Sequence, residues 1–527
     1  MNKPISYRMA VAALGLALTL PSLFAAETPQ EWYDEGRNTV QAAKRIKISN
    51  KRVKNIILVV GDGMGVSTVT AARIFDGQLK GQSGEENSLS FEKFPHLALS
   101  KTYSVNQQTS DSAPTMTAMV TGVKTKDGLL GVNQLVERRN ASTVAGNELE
   151  TILEICEKQG KSSGVVSSAR LTHATPAACY SKSPDRDWEA DVNIPAAQRW
   201  FPDIARQLVE FRGNGTGLEV ALGGGRTKFI PNTIPDPEDA GRVGERLDGR
   251  DLTSEWSAKS PKHKYVWNKA GFDAINPATT DNLLGLFERS HCEYEHDRPS
   301  DTGGEPSLSE MTSKAIDILA KNRKGFFLMV EGGRIDHAHH AGNAFRALSD
   351  TVELSKAVEV ALAKTDPNET LIIVTADHSH VFTIGGYPER GNPILGLVSA
   401  EADSSGNPIF TKDLLGLPYT TLSYANGPGY TGASLRANGT VLQPEGPKVF
   451  EHLPVGYQGI TSGRPFLSEE VTMSPNFLQE ATVPLGSETH AGEDVAIFAT
   501  GPAANLFHGV QEQNVIFHVM LESLVNR

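Results

Sequence analysis

Apolar residues along this chain gather in short unbroken runs, and most of these runs stop at a glycine, an acid or a histidine. KNIILVV at 54–60 stops at GDGMG, SSGVVSSA at 162–169 at Arg170 and His173, and LEVAL at 218–222 at GGGR. FFLMV at 326–330 stops at EGGRIDHAHH, LIIVT at 371–375 at ADHSH, and DVAIFAT at 494–500 at GP. A run without polar alternation suits a strand covered on both faces, as in a parallel sheet. Helical periods lie between the runs, for example LETILEICEKQG at 149–160 and SEMTSKAIDILAKN at 309–322. Strands alternating with helices predict an α/β fold with a largely parallel sheet. Ligands of such sheets bind beyond the carboxyl ends of the strands, which is where the polar clusters fall.

Two regions break this rhythm. Residues 226–308 are rich in Pro, Gly, Asp and Arg, and residues 385–487 in Gly, Pro and Ser. Stretches of that length inside an α/β core predict inserted subdomains rather than single loops. In TSDSAPTMTAM, 109–119, an acid and a serine precede a proline and an apolar segment. That order predicts a helix start, with Asp111 or Ser112 as its cap. Free backbone N–H groups and the positive dipole end would favour an anion there.

Composition narrows the classes. A net charge of -12 over 527 residues lacks the basic footprint of nucleic-acid recognition, so no nucleic-acid module is expected. An anionic substrate is still compatible, because bound metal ions reverse a local field. Lys3 and Arg8, the run MAVAALGLAL and small Ala25 and Ala26 predict a signal peptide over 1–26, an exported, periplasmic or secreted protein, and 27–527 as the catalytic part. An uncleaved anchor is the alternative, although the run is short of the ~20 apolar residues of a span. The C-terminal IFHVMLESLVNR resembles no lipid-anchor tail. The cysteines Cys156, Cys179 and Cys292 allow at most one internal pair and match no zinc-finger spacing.

Potential metal donors are unusually dense. EGGRIDHAHH supplies Glu331, Asp336, His337, His339 and His340; ADHSH supplies Asp377, His378 and His380; THAGED supplies His490; GDG supplies Asp62. Asp336 and His340 are four apart, so one helical turn puts them on one face. Imidazole combined with carboxylate suits zinc. GDGMG lacks both the closing Lys-Ser/Thr of a Walker loop and the full dinucleotide spacing.

With GDGMG, DSA, HATPAA, GLFE, EGGRIDHAHH, ADHSH and ETHAGED in hand, the chain from about Lys54 to Pro502 resembles the alkaline phosphatase family, in its animal-type branch. The resemblance implies a three-layer α/β/α sandwich carrying a crown-like insertion at 385–487, a homodimer, and hydrolysis of small phosphate monoesters at alkaline pH. It makes Ser112 the nucleophile that becomes phosphoserine and Arg186 the phosphate-binding arginine, with inorganic phosphate a product inhibitor. Two zinc ions would be held by Asp336, His340 and His490 and by Asp62, Asp377 and His378. One magnesium would be held by Asp62, Thr175 and Glu331. His173, His337 and His380 would be supporting residues; at the first two the enteric bacterial form has an aspartate and a lysine. Glu238, Phe287, Glu288 and Glu305 resemble a fourth, calcium-type site, in which Glu305 replaces an aspartate. Composition alone reads the same acids equally well as loop residues in water.

Two rivals remain at this point. A sulfatase would need C/S-x-P-x-R, and DSAPTMT lacks that arginine; a diesterase generally has threonine as nucleophile. A metal or phosphate scavenger would not need a serine at the phosphate position.

Overall fold

The computed structural model describes residues 28–49, 51–213, 215, 217–413, 416–430, 434–435, 441–442 and 464–525. The expected signal peptide at 1–26 and much of the expected crown-like insertion lie outside the described residues. The chain divides into two units: residues up to Ile46 with Glu401–Ile409, and Lys47–Ala400 with Phe410–Arg527. The first contains a helix, Pro29–Ala43, started by a capping box at Thr28 and Glu31 and without a buried residue. The second carries the sheet and every candidate site residue.

Ten strands form its main sheet, here numbered in chain order: β1 Asn55–Gly61, β2 His96–Lys101, β3 Ser162–Arg170, β4 Val220–Gly224, β5 His263–Val266, β6 Asn282–Leu286, β7 Phe326–Gly332, β8 Thr370–Ala376, β9 Val495–Thr500 and β10 Val510–Glu512. Their order across the sheet is β10-β2-β9-β8-β1-β7-β3-β4-β6-β5. All pairings are parallel except those of β9, which runs antiparallel between β8 and β2. The unbroken apolar runs are the inner strands, as a sheet covered on both faces requires.

The two faces feed separate cores. Ile56, Leu58 and Val60 of β1 pack with Met116 and Met119 of helix Ser112–Thr121 and with Ile516 and Met520 of helix Val515–Ser523. Ile57 and Val59 pack on the other face with helices Val66–Leu79, Leu308–Leu319 and Ala344–Lys364. The result is the expected α/β/α sandwich.

The loop-rich stretch 226–308 contributes β5 and β6 to one edge of the sheet. Within 385–487, Leu422–Gly427 and Ala481–Pro484 join Phe382–Ile384 in a separate three-stranded sheet. Cys156, Cys179 and Cys292 are buried and unpaired. Among the described residues no helix is long and apolar enough to cross a membrane.

Asp350, on helix Ala344–Lys364, is buried and accepts from the Glu295 amide at 3.2 Å. Burial pushes its carboxyl up to about 8, above the value near 4 of an unfolded carboxyl. Folding therefore takes up a proton between about pH 4 and 8, and this group lowers stability as pH rises through that window. Asp350→Asn, which cannot ionise, should gain stability relative to wild type between pH 5 and pH 8 in urea titrations. Identical pH dependence of the two proteins would refute the assignment.

Candidate active site and metal centre

Strand ends deliver most of the donors. Asp62 follows β1, Glu331 is the penultimate residue of β7, Asp377 follows β8, and Thr175 lies on the short helix Ala174–Ala177 beyond β3. Helix Arg334–His340, directly after β7, presents Asp336 and His340 one turn apart. His490 arrives from the opposite chain direction, just before antiparallel β9, in a two-residue pairing with Ser379–His380. Gly63 permits the close approach: its φ is +67°, and a Cβ there would stand 2.3 Å from His380 Nε2.

One group of donors comprises Asp336, His340, His380 and His490. His340 donates from Nδ1 to the Glu488 carbonyl at 2.7 Å, and His490 from Nδ1 to the Ser110 carbonyl at 2.8 Å. Those bonds leave a lone pair on each Nε2, 3.3 and 3.4 Å from Asp336 Oδ1. The two Nε2 atoms also face each other at 3.1 Å, and with both rings neutral no donor stands between them. Such a convergence is unfavourable until a cation enters it, so the set fits a metal ion. His380 is arranged differently, with Nδ1 on Glu488 and Nε2 on Asp336 at 2.8 Å. Burial would lower its pKa, but the two carboxylates outweigh that and push it up to about 10.

A second group is Asp62, Asp377 and His378. His378 Nε2 is 3.3 Å from both carboxylates, and its ring stacks 3.6 Å from that of His490. Asp377 Oδ1 accepts from the amides of Gly63 and His378 at 3.0 and 2.9 Å, whereas its Oδ2 is buried without a partner. On the far side of Asp62, Oδ2 accepts from Thr175 Oγ1 at 3.4 Å, and Glu331 is bonded by Ser167 with its other oxygen buried and unpartnered. Burial and mutual repulsion raise Asp62 and Asp377, and burial pushes Glu331 up to about 7. Divalent cations would offset this crowding, and the unpartnered oxygens mark where they fit. His173 has a ring nitrogen within 4.8 Å of Asp62 and Glu331 oxygens.

Ser112 begins helix Ser112–Thr121 and is capped by Asp111, which accepts from the Ser112 amide at 2.7 Å. Its Oγ lies 3.4 Å from Asp62 Oδ1 and from His378 Nε2. Arg186 faces it, bonded to Asp111 at 2.5 Å and to His173 Nε2 at 3.0 Å. Burial would raise the Asp111 carboxyl, but the guanidinium holds it well below the usual range. These residues line a cavity of about 480 Å3 that includes His337, His340, His490 and Arg170. Arg170 is held away from Ser112 by Glu189, at 2.7 and 2.8 Å.

The calcium-type set differs from expectation. Oxygens of Glu238, Glu288 and Asp301 lie within 4.8 Å of one another, and Asp301 was not anticipated. The Phe287 carbonyl accepts from Arg226 at 2.9 Å. Glu305 is absent from the group: one oxygen accepts from the Glu293 amide at 2.8 Å and the other is buried without a partner. Burial, Glu238 and Asp301 push Glu288 up to about 8.

Sequence reasoning also missed His291, whose ring lies 4.0 Å from that of His337 and 5.4 Å from that of His173. It missed Glu488 and Gln513; the latter donates to the Asp377 carbonyl at 2.7 Å. Glu488 is the first residue of the ETHAGED motif, from which only His490 was taken as a donor. His339, among the sequence candidates, is a satisfied core histidine between Thr68 and Tyr424.

The alkaline phosphatase family model matches residues 53–525. The tissue-nonspecific alkaline phosphatase of Gallus gallus is 45% identical over 503 residues, covering 93% of this chain and 88% of that protein. Its Homo sapiens counterpart is 43% identical over 524 residues, covering 97% and 91%. Among solved structures, alkaline phosphatase from Thermus thermophilus matches with a TM-score of 0.59 at 25% identity, covering 92% of this chain and 94% of that one. The enzyme of the Antarctic bacterium TAB5 shares the fold at a TM-score of 0.55 and 21% identity, covering 90% and 98%, and a mutant of it carries Mg in its M3 site. The chain belongs to the alkaline phosphatase family, and is an enzyme of metal-dependent phosphate-monoester hydrolysis.

Proposed function

We propose that this chain hydrolyses small phosphate monoesters through a covalent phosphoserine at Ser112. The observation that carries the reading is the Ser112 hydroxyl, set between Asp62 and His378 and facing Arg186 across one cavity. Zinc would be held by Asp336, His340 and His490 and by Asp62, Asp377 and His378, magnesium by Asp62, Thr175 and Glu331, and calcium by the Glu238 and Glu288 loop acids. When bound, the zinc ions supply Lewis acidity that lowers the pKa of a hydroxyl or water and offsets charge on the departing oxygen.

Arg186, pre-set by Asp111 and His173, offers two parallel N–H donors to non-bridging phosphoryl oxygens. The N-terminal amides of helix Ser112–Thr121 add fixed dipoles on the same group. Ser112 Oγ then bonds to phosphorus while the ester P–O bond breaks, and the proton given up by the Ser112 hydroxyl leaves with the alcohol. Water next attacks phosphorus from the side the alcohol vacated, so that inorganic phosphate departs and Ser112 regains its proton. These contacts all address the phosphoryl group, so the reading includes wide tolerance for the alcohol. Export to the periplasm or medium and a homodimer with a crown at 385–487 belong to the same proposal.

Arg186→Ala should raise KM for aryl phosphate and weaken inhibition by inorganic phosphate about 10- to 100-fold, the worth of charge-assisted hydrogen bonds. Steady-state kinetics with added phosphate decide this; unchanged inhibition would remove Arg186 from the role.

A further inference from the structure

Glu488 precedes His490 by two residues and belongs to neither donor group, yet it contacts both His340 and His380 of the first group. It is 1% exposed. Its Oε2 accepts from His380 Nδ1 at 2.5 Å, and its Oε1 accepts from the Val381 amide at 2.8 Å. The opposite nitrogen of His380 is thereby aimed at Asp336 Oδ1, 2.8 Å away. The Glu488 main chain is engaged as well: its carbonyl accepts from His340 Nδ1 at 2.7 Å, and its N–H donates to the His340 carbonyl at 2.9 Å.

The neighbourhood leaves this arrangement little freedom. His490 pairs with His380 and Ala491 with Ser379, so the backbone after Glu488 is docked on the segment it orients. Gly427 lies against the side chain: a Cβ there would sit 3.1 Å from Glu488 Cβ. Gly63 closes the other side of His380, where a Cβ would stand 2.3 Å from the ring.

We infer that Glu488 is a positioning residue, holding His380 on Asp336 and so fixing the carboxylate of the Asp336–His340–His490 group toward its metal ion. The inference rests on the zinc reading above. Outer partners of this kind are typically worth about 10- to 100-fold in metal affinity. A plain packing role would instead be confined to the Val381 amide, which a glutamine oxygen can satisfy equally well.

The test uses zinc alone as probe, in chelator competition on the full chain. In Glu488→Gln, affinity for one zinc should fall about 10- to 100-fold while the second keeps its wild-type affinity. Melting of the metal-stripped protein should match wild type. Because Glu488 acts through His380, combining the change with His380→Asn should cost no more zinc affinity than His380→Asn alone. Wild-type zinc affinity in Glu488→Gln, additive losses in the double variant, or a zinc loss matched by a lower metal-free melting temperature would each overturn the inference. A wild-type chain that takes up no zinc would instead defeat the parent reading.

Discussion

Ser112→Ala should abolish acid-trapped phosphoserine and lower kcat on aryl phosphate by about 10^3- to 10^6-fold, the range seen when a catalytic nucleophile is removed. Metal content should stay near the wild-type level, because every carboxylate and imidazole gathered around Asp336, Asp377 and Glu331 is retained. The fold should survive as well. The helix keeps its Asp111 cap, which binds the backbone amide at position 112 and not the hydroxyl alone. Ser112 is 2% exposed, and the change removes one oxygen from a polar cavity, so no apolar contact is lost. Full turnover in the variant, measured beside its phosphoserine content, would show that another group attacks phosphorus.

Stripping divalent ions should produce a loss of comparable size. Four carboxylates and three histidines, Asp62, Asp336, Asp377, Glu331, His340, His378 and His490, converge in a buried region, with Asp377 Oδ2 and Glu331 Oε1 unpartnered. Without cations the Asp62, Asp377 and Glu331 carboxyls are driven toward their neutral forms by burial and by one another. Lewis-acid stabilisation worth several kcal/mol then disappears, which predicts a fall of about 10^3-fold or more. Dialysis against a chelator followed by refilling should restore turnover with zinc plus magnesium and not with calcium alone, whose preferred all-oxygen ligands do not match the imidazole groups. Undiminished hydrolysis by protein verified as metal-free would defeat the reading.

Much of this site was legible because its donors sit in compact motifs at strand ends. Asp62 in GDG, Asp336 and His340 in RIDHAHH, and Asp377 and His378 in ADHSH each occupy a position that a buried strand and the following turn dictate. The misses share a cause. Asp301 joins Glu238 and Glu288, while Glu305 accepts from the Glu293 amide, a juxtaposition that depends on how the loop folds back and not on local pattern. His291 matters only through the packing of β6 and its following loop against helix Arg334–His340, which brings its ring to His337. Strands β2, β5, β6 and β10 were not anticipated: β5 and β10 are short, partly exposed edge strands, β2 mixes exposed and buried positions, and β6, though buried, is only five residues long within the loop-rich stretch.

Local composition by itself determined the strand–helix alternation, the helix start at Ser112 and the identity of most donor residues, since each depends on a few neighbours in the chain. Tertiary structure alone decided which donors meet. His490 shows why: the segment before β9 reaches the carboxyl ends of β1, β7 and β8 only because β9 runs antiparallel to them. Strand direction is set by sheet pairing across more than a hundred residues, and no pattern within the segment records it. The ring nitrogens that His340, His380 and His490 present were decided in the same way, by distant partners: the Ser110 carbonyl for His490, and the carbonyl and carboxylate of Glu488 for His340 and His380.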